Sequence, residues 1–172
     1  GGFNYELEPD FALWDKQKRV VLYPWANRNG FETKHYRSYG ETQEYMRQKE
    51  IFMPTEFLHG LYDGGHGAGL KDYWDMMMAN PRCAGGFLWD LMDQGVVRTD
   101  KNNYVDCMGN FGADGIVGPH AEKEGSYYTI KEVWCPVQLT WNDVEKGELT
   151  LSNQYNFVNL KDCRFSYRLL QM

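Results

Sequence analysis

The chain has 172 residues, a length that corresponds to about one domain and allows a substantial apolar core to form. Its net charge is −6, and no run of lysines and arginines forms a basic patch, so we expect no nucleic acid partner. No stretch approaches the ~18 apolar residues of a membrane-spanning helix. The first residues lack the pattern of a signal peptide. We therefore expect no membrane contact, while the cellular compartment stays unknown.

Aromatic residues make up 16% of the chain, which is typical either of a large core or of a site where flat rings stack on a sugar or a nucleobase. The four cysteines, Cys83, Cys107, Cys135 and Cys163, form no Cys-x-x-Cys pair and are too widely spaced for a dense disulfide framework. We interpret them as mostly buried thiols. The sequence contains no nucleophile-elbow, zinc-protease or P-loop motif.

In chain order, residues 5–17 are predicted as a loop followed by a short helix. Residues 19–25, RVVLYPW, are predicted as a buried strand because apolar, β-branched and aromatic residues cluster there. Turn residues follow in ANRNG, and residues 33–39 fit either a short strand or an extended loop. Residues 40–50 have the composition of a helix with one polar face.

Residues 51–57, IFMPTEF, are predicted as the next strand. A glycine-rich loop over residues 61–69 follows, and residues 70–81 are predicted as an amphipathic helix. Residues 84–95 are predicted as another short buried strand that runs into a loop. This alternation of strands and helices over residues 10–95 is typical of a parallel sheet in an α/β fold.

The pattern changes after this point, and residues 96–125 are predicted to be rich in loops. From about Val137 polar and apolar residues alternate between turns, which is typical of an antiparallel β-sandwich. Three strands are predicted in this part, in VQLTW, LTLSNQYNF and CRFSYRLLQ. We therefore expect two domains, over residues 1–134 and 135–172.

The segment PTEFLHG places one carboxylate, Glu56, at the end of a predicted strand, with His59 three residues later. The simplest interpretation is a surface salt bridge at the boundary between strand and loop. Catalysis is the alternative, because functional side chains project from the C-terminal ends of the strands in a parallel barrel. Other strand ends carry Trp25, Tyr36 and the pair Trp89-Asp90. A carboxylate among aromatic rings favours glycoside hydrolysis.

Three longer segments resemble glycoside hydrolase family 2, and within it the β-galactosidases. These segments are PTEFLHG, GLKDYWDMMMANPRCAGGFLWDLMDQG and YTIKEVWCPVQL. The run G-G-F-x-W-D-x-x-D-Q and its spacing behind Glu56 are specific, and the likeness covers roughly residues 14–170. The resemblance implies the C-terminal half, about strands 5–8, of a TIM (β/α)8 barrel, followed by the first strands of an immunoglobulin-like antiparallel β-sandwich.

By this resemblance, Glu56 is the nucleophile of a retaining exo-glycosidase that hydrolyses terminal β-D-galactosides by double displacement. Tyr36 is similar to a tyrosine that hydrogen-bonds the nucleophile, which would favour the ionised carboxylate and orient it. His59 matches a histidine at the hydroxymethyl side of the sugar, and Trp89 matches a tryptophan under the sugar ring. Taken alone, Tyr36 also fits a barrel-wall residue, and His59 fits a loop histidine that faces water.

Phe111 and Asp114, in FGADG, match a Phe and an Asn that lie near the sugar and a bound cation in the family. Because the Asn is an Asp here, both the sugar contact and the monovalent or divalent cation stay open, and no other cofactor is expected. Asp90 and Asp93 are expected to satisfy backbone groups around Trp89. The loop DGGHGAG is longer than the usual loop of the family and lacks its asparagine.

A retaining glycosidase needs a second carboxyl group, about 5–5.5 Å from the nucleophile, to protonate the leaving oxygen. In the family this acid is a Glu directly after an Asn, and the sequence contains no Asn-Glu pair. We therefore expect the chain to begin downstream of its catalytic acid and to be inactive alone. Open sheet edges lead us to expect self-association of the chain, or a homo-oligomer of a longer parent.

Two other interpretations stay open. One is a non-catalytic carbohydrate-binding or structural module, although such a module would not need the glutamate of PTEFLH. The other is β-glucuronidase or β-mannosidase specificity within the same family. His59 favours a galactoside over a glucuronide, and NFGADGIVGPH offers no Lys or Arg near Asp114 to bind a sugar carboxylate.

Overall fold

The computed structural model describes residues 3–62, 65–168 and 170. The chain divides into two compact units, Gly1–Val133 and Trp134–Met172. Within the described residues, the first unit contains four α-helices and five short strands, and the second contains one two-stranded sheet. None of the helices in these ranges is long and apolar enough to cross a membrane.

The first unit begins with a 3₁₀ helix at Tyr5–Leu7 and helix α1 at Glu8–Trp14, close to the predicted short helix. The buried strand predicted over residues 19–25 is wrong, because this stretch is irregular and only Tyr23 in it is buried. The physical reason is that backbone groups of this stretch form hydrogen bonds with side chains of the adjacent hairpin. The Thr33 hydroxyl donates to the Tyr23 carbonyl, so this part of the chain follows a neighbouring hairpin instead of a strand ladder.

Strands β1, Asn27–Arg28, and β2, Phe31–Glu32, form that antiparallel hairpin. Its two loop residues, Asn29 and Gly30, both have positive φ, at +56° and +85°. Such angles are typical of a type I′ turn, which an Asn-Gly pair adopts with little strain. The turn predicted in ANRNG is therefore present, and the residues before and after it join the sheet.

Helix α2 covers Tyr39–Tyr45 and begins with a capping box. The Ser38 hydroxyl accepts a hydrogen bond from the Glu41 N–H, and the Glu41 carboxylate accepts one from the Ser38 N–H at 2.9 Å. The helix is shorter than the prediction for residues 40–50, because the chain turns at residues 46–50 before it enters the next strand.

Strand β3, Ile51–Phe52, pairs in parallel with β2. The parallel alignment continues beyond these strands as single bridges between residues, namely His35 with Glu56, Phe52 with Cys83, Phe57 with Leu88 and Met92 with Val117. Backbone hydrogen bonds connect the same segments between the bridges. Four extended segments, at residues 31–36, 51–57, 82–93 and 114–117, therefore run in parallel in chain order. The parallel pairing predicted from the strand and helix alternation is confirmed, although the regular strands are shorter.

Helix α3, Leu70–Met78, packs on these segments, with the Tyr73 ring 6.2 Å from the Phe57 ring. The helix ends before Pro81, as predicted. Met77 is fully buried, whereas Met78 is 47% exposed, so the apolar face of the helix is narrower than the sequence indicates. The buried apolar residues of the unit are Tyr23, Ala26, Met46, Phe52, Phe57, Leu58, Leu70, Met77 and Ile130.

Residues 96–125 are less irregular than predicted. They contain an antiparallel hairpin of β4, Val96–Arg98, and β5, Tyr104–Asp106. The loop between these strands includes Asn102–Asn103, both with positive φ, a conformation that asparagine tolerates better than most residues. Helix α4, Gly125–Val133, then ends the unit and packs against α3.

In the second unit, β6, Val137–Asp143, and β7, Glu148–Asn153, pair antiparallel, as predicted. One face of this hairpin carries apolar side chains at opposed positions. The third strand predicted in CRFSYRLLQ is wrong for residues 163–168, which form no strand. A 3₁₀ helix at Leu160–Asp162 diverts the chain there, and residues 169 and 171 of this prediction lie outside the described residues.

The four cysteines are free thiols, and each is partly exposed. Our interpretation of them as mostly buried is therefore wrong. Burial nevertheless raises the pKa of the Cys83 thiol. A thiol with a raised pKa is less often in the reactive thiolate form, and no cysteine contributes to the site described next.

Candidate active site

Glu56 lies near the end of the second parallel segment, and its side chain is only 19% exposed. The Tyr36 hydroxyl donates a hydrogen bond to its Oε2 atom. His35 Nδ1 lies 3.2 Å from the same oxygen. Both contacts therefore fall on one carboxylate oxygen, which restricts the rotation of the carboxylate. The simplest interpretation of Glu56, a surface salt bridge, does not describe these contacts.

The backbone at Tyr36 explains why two consecutive side chains reach one carboxylate. Neighbouring residues of a strand normally point to opposite faces of the sheet. Tyr36, however, has a φ of +50°, in the left-handed region, and the regular alternation ends there. The Tyr36 N–H donates to the Glu56 carbonyl at 3.1 Å, which sets the register of the two segments. His35 and Tyr36 therefore both lie beside Glu56.

Three residues close to this carboxylate have left-handed backbone conformations although none is a glycine. They are Trp25, Tyr36 and Leu58, with φ values of +55°, +50° and +50°. A sparsely populated backbone conformation of this kind costs on the order of 1–3 kcal/mol per residue and is typical of functional sites. Non-glycine residues with positive φ also occur elsewhere in the chain, so this strain accompanies the contacts of Glu56 and does not by itself mark the site.

Aromatic rings continue from this point towards Trp89. The Tyr36 ring lies 5.2 Å from the His59 ring, centroid to centroid, and the His59 ring lies 6.5 Å from the Trp89 ring. Tyr62 lies 4.5 Å from His59 on another side. Aromatic faces of this kind can pack against the apolar face of a sugar. The predicted residues Tyr36, His59 and Trp89 are thus brought together.

Asp114 is 3% exposed and accepts hydrogen bonds from several side chains of the site. Trp89 Nε1 donates to its Oδ2 at 3.0 Å, and Gln94 Nε2 lies 3.3 Å from both carboxylate oxygens. His59 Nδ1 accepts from the Leu61 N–H, so the neutral ring carries its proton on Nε2, which lies 3.7 Å from Asp114 Oδ2. Asp114 therefore connects Trp89 and His59 at the base of the site.

The glycine-rich loop contributes a second buried histidine beneath Trp89. His66 is 2% exposed, its Nε2 lies 2.5 Å from the Trp89 carbonyl oxygen, and burial lowers the pKa of its ring. Gly60 also donates to that carbonyl, at 3.1 Å. A Cβ atom at Gly60 would lie 2.5 Å from the Asp114 carbonyl oxygen, so the close approach requires glycine. Residues 63 and 64 of this loop lie outside the described residues.

Asp90 and Asp93 differ from each other in their surroundings. Asp93 Oδ1 accepts from the Gly115 N–H at 2.8 Å, as expected for a residue that satisfies the backbone. Asp90 Oδ1 is buried and has no hydrogen-bond partner among the described residues, although a hydrogen bond from the backbone N–H of Asp90 acts to lower the pKa of this carboxyl. Burial, together with the negative charges of Asp114 and Asp93, raises the pKa of Asp90 to about 6.

Phe111 is the predicted site residue that the structure does not bring into this group. Its side chain is 67% exposed, and within the described ranges no ring contact joins it to the other site residues. The same ranges contain no group of three or more His, Cys, Asp or Glu residues arranged to hold a metal ion. The cation that the sequence analysis left open therefore stays open.

Three polar residues of the site are missing from the sequence prediction. His35 is missing from the prediction because, in a regular strand, consecutive side chains point to opposite faces, so His35 would point away from the site if Tyr36 pointed into it. Gln94 ends the G-G-F-x-W-D-x-x-D-Q run, which was a signal for its importance but not for its contact with Asp114. His66 lies among glycines, a composition that predicts a loop and not a buried ring.

No family model matches the chain. The sequence is 26% identical to a β-galactosidase of Priestia megaterium (strain DSM 319 / IMG 1521), over 93% of this chain and 17% of that protein. It is also 26% identical to a β-galactosidase of Actinobacillus pleuropneumoniae, over 94% of this chain and 18% of that protein. The chain therefore spans less than a fifth of the length of these curated relatives.

A GH2 β-galacturonidase from Eisenbergiella tayi bound to galacturonate aligns with 62% of this chain and 24% of that chain, at 15% sequence identity and a TM-score of 0.40. The curated relatives carry the name β-galactosidase that the motifs of the sequence predict. The resemblance of this chain to the β-galactosidases of glycoside hydrolase family 2, predicted from its motifs, is thus confirmed.

Proposed function

We propose that this chain is part of a retaining β-galactosidase in which Glu56 is the nucleophile. The observation that carries the proposal is the set of contacts on Glu56. A largely buried carboxylate lies near the end of a parallel segment, with a tyrosine hydroxyl and a histidine ring on one of its oxygens. A nucleophile must be ionised and correctly rotated, and donors on one oxygen favour both conditions.

The proposal includes the architecture around the site. We place residues 1–134 in the C-terminal half of a TIM barrel, and residues 135–172 at the start of an immunoglobulin-like sandwich. Four parallel segments in chain order, with helices between several of them, support the first part, because each strand of such a barrel lies beside the next one in sequence. The antiparallel pair β6 and β7 supports the second part.

The proposed reaction has two displacement steps. In the first, Glu56 attacks the anomeric carbon, a bond forms between the sugar and the carboxylate, and the glycosidic bond breaks while its oxygen takes up a proton. In the second, water attacks the same carbon, the Glu56 carboxylate leaves, and the proton lost by the water goes to the residue that acted as the acid in the first step. Because Tyr36 and His35 both face Oε2, Oε1 is the attacking atom. Trp89 and His59 would hold the sugar on the aromatic side of the site.

The general acid of the first step is proposed to be a residue that the printed sequence does not include. The sequence has no Asn-Glu pair, and the chain spans less than a fifth of its curated relatives. General acid–base help is worth about 10²–10⁴ in rate. We therefore propose that the chain alone hydrolyses galactosides with poor leaving groups inefficiently.

The surroundings of Asp114 support a neutral sugar over a uronic acid. Its buried carboxylate already accepts hydrogen bonds from Trp89 and Gln94. A sugar carboxylate placed near it would meet a negative charge, and residues 110–120 contain no Lys or Arg to compensate. Like charges at close range disfavour binding in a site of low dielectric.

The test uses 2,4-dinitrophenyl 2-deoxy-2-fluoro-β-galactoside, because its leaving group departs without a general acid. The chain, and the same reading frame extended upstream, are incubated with this reagent, and the adduct is located by peptide mass spectrometry. We expect a fluorogalactosyl adduct on Glu56. The Glu56→Gln variant should remain unlabelled, and Glu44→Gln, which changes an exposed glutamate of α2, should be labelled like the parent.

Other outcomes overturn defined parts of the proposal. Labelling of Glu56 by a glucuronide or mannoside analogue, and not by the galactoside, would retain the nucleophile and overturn the sugar. An adduct on a different residue would overturn the role of Glu56. The absence of labelling by every sugar analogue, in both the short and the extended protein, would favour the non-catalytic carbohydrate-binding module.

A further inference from the structure

We propose that His35 is a second positioning residue for Glu56, which donates a hydrogen bond from Nδ1 to the same carboxylate oxygen as Tyr36 and is covered by Trp25. This inference rests on the proposed role of Glu56 and adds a residue to it. With Tyr36 and His35 both donating to Oε2, the other oxygen of the nucleophile, Oε1, stays available for attack.

The first argument is the position of the imidazole. His35 Nδ1 lies 3.2 Å from Glu56 Oε2, and the His35 side chain is only 4% exposed. The parallel bridge between His35 and Glu56 fixes their backbones side by side. The contact therefore does not depend on a mobile surface side chain. Hydrogen bonds of an active site are often long or poorly aligned without substrate and tighten when it binds.

The second argument is the tautomer of the ring. A neutral imidazole carries one proton, on Nδ1 or on Nε2. His35 Nε2 is buried and has no hydrogen-bond partner among the described residues. A proton on Nε2 would leave a buried donor unpaired and would turn the Nδ1 lone pair towards a carboxylate oxygen. The Nδ1–H tautomer avoids both penalties, so Nδ1 is the donor.

The third argument is the cover over the ring. The Trp25 ring lies 4.3 Å from the His35 ring, at an interplanar angle of 48°, while Trp25 itself is 46% exposed. Burial lowers the pKa of His35, and the nearby Glu56 charge acts in the opposite direction. His35 is therefore neutral at pH 7 and acts on Glu56 as a hydrogen-bond donor. A protonated ring would instead form an ion pair.

Two donors on one oxygen have a consequence for the reaction. They hold Oε1 towards the sugar and stabilise the negative charge of the free carboxylate. A hydrogen bond to a charged group is stronger than one between neutral groups, so the loss of one that positions a nucleophile slows the reaction. Removing the His35 donor should therefore slow covalent labelling of Glu56 by about 10-fold to 100-fold.

The first experiment does not depend on catalysis. Long-range ¹H–¹⁵N NMR of the labelled chain reports the tautomer and the pKa of each histidine, and the His35 signals are assigned by their loss in His35→Asn. We expect the Nδ1–H tautomer at pH 7 and a pKa below the ordinary value. Trp25→Ala should raise this pKa towards the ordinary value, and Trp25→Phe should keep it low.

Glu56→Gln should lower the pKa of His35 further, because it removes the charge that raises it. The exposed His120 should be unchanged in all these variants and serves as the control. An Nε2–H tautomer for His35, or a His35 pKa that does not respond to Glu56→Gln, would overturn the inference.

The second experiment measures the rate of labelling of Glu56 with the fluorogalactoside in His35→Leu and His35→Asn. Asparagine can place an amide N–H near the position of Nδ1, so His35→Asn should restore most of the rate that His35→Leu loses. Equal labelling of the parent and His35→Leu would refute the positioning role. An unlabelled parent would instead count against the proposed function, while the NMR result on His35 would stand separately.

Discussion

Single residues of the candidate site depend on side-chain hydrogen bonds between positions far apart in the chain. Tyr36 and Glu56 are 20 residues apart, and Trp89 and Asp114 are 25 apart. Most of these groups are shielded from water, so a lost partner is not replaced freely by solvent. A buried polar group left without a partner costs about 1–3 kcal/mol. Substitutions that remove one atom are therefore informative.

Tyr36→Phe removes the hydroxyl that donates to Glu56 and keeps the ring that packs on His59. We expect covalent labelling of Glu56 to slow by about 10-fold to 100-fold, because one donor to the carboxylate is lost. The rate is measured by mass spectrometry with the fluorogalactoside. Tyr39→Phe, which removes a hydroxyl on α2, should leave the rate unchanged. Equal rates for both variants would contradict the prediction.

Asp90→Asn tests the raised pKa of Asp90. A folded-state pKa of about 6, above the ordinary 3.8, means that the protonated form is favoured by folding. Its stabilising contribution is present below the ordinary pKa and is lost as the pH rises through 6. An asparagine stays neutral, so the variant should be more stable than the parent at pH 7.5, by about 1–2 kcal/mol after allowance for solvent screening.

The free energies of unfolding of Asp90→Asn and the parent are measured with urea at pH 4 and pH 7.5. His35 and His66 titrate in both proteins, so their contribution largely cancels in the difference between the two. Near pH 4 the gain should nearly disappear. Asp75→Asn, which alters an exposed ion pair with Lys71, should show no comparable gain at high pH. A difference in the free energy of unfolding that does not change with pH would contradict the raised pKa of Asp90.

At the scale of secondary-structure elements, the site depends on places where regular structure stops. Glu56 lies near the C-terminal end of its parallel segment, Trp89 follows the bridge at Leu88, and Asp114 begins the fourth segment. The C-terminal ends of strands, such as that of Glu56, are where functional side chains collect in parallel α/β folds. Glycines at close contacts between these loops are therefore as important as the side chains.

Gly60→Ala should destabilise the first unit. The added Cβ would lie 2.5 Å from a backbone oxygen of Asp114, and a backbone atom cannot move aside as a flexible side chain does. We expect a loss of about 1–3 kcal/mol in the free energy of unfolding, measured with urea. Gly40→Ala is the matched control: nothing lies within 4 Å of its Cβ, and alanine in helix α2 should stabilise by about 0.5–1 kcal/mol. Similar effects of both substitutions would contradict the predicted clash.

At the scale of the whole molecule, each unit leaves large apolar side chains exposed. In the first unit, Leu13 and Trp14 of α1 are 70% and 79% exposed. In the second, Leu139, Trp141, Leu149 and Leu151 lie on one face of the hairpin and are 40–55% exposed. Contiguous apolar surface of this kind is typical of surfaces that bind another protein surface.

We therefore predict that the isolated chain self-associates. Analytical ultracentrifugation over a range of concentrations should show a sedimentation coefficient that rises with concentration. The double substitution Leu13→Ser and Trp14→Ser should weaken the association, whereas Lys16→Ser, on the same part of the surface, should not. A monomer at all concentrations would be inconsistent with this prediction.

By itself, the sequence determined the features that depend on residues close in the chain. The Asn-Gly turn, the helices α2 and α3, the parallel pairing and the β6–β7 hairpin follow from short-range patterns of turn residues and apolar spacing. The motif around Glu56 also indicated the family, because its residue types and spacing are specific. These predictions needed no knowledge of distant contacts.

Only the tertiary structure decided the long-range contacts of the site and the irregular course of residues 19–25. Residues 19–25 have a strand composition but no strand, because their polar groups bond to the hairpin beside them. His35 reaches Glu56 because the left-handed backbone at Tyr36 ends the strand alternation. The buried His66 ring packs against Gly60, where a Cβ atom would lie 2.7 Å from His66 Cε1. Backbone breaks and long-range burial of this kind leave no periodic trace in a sequence, so these contacts could not be predicted from it.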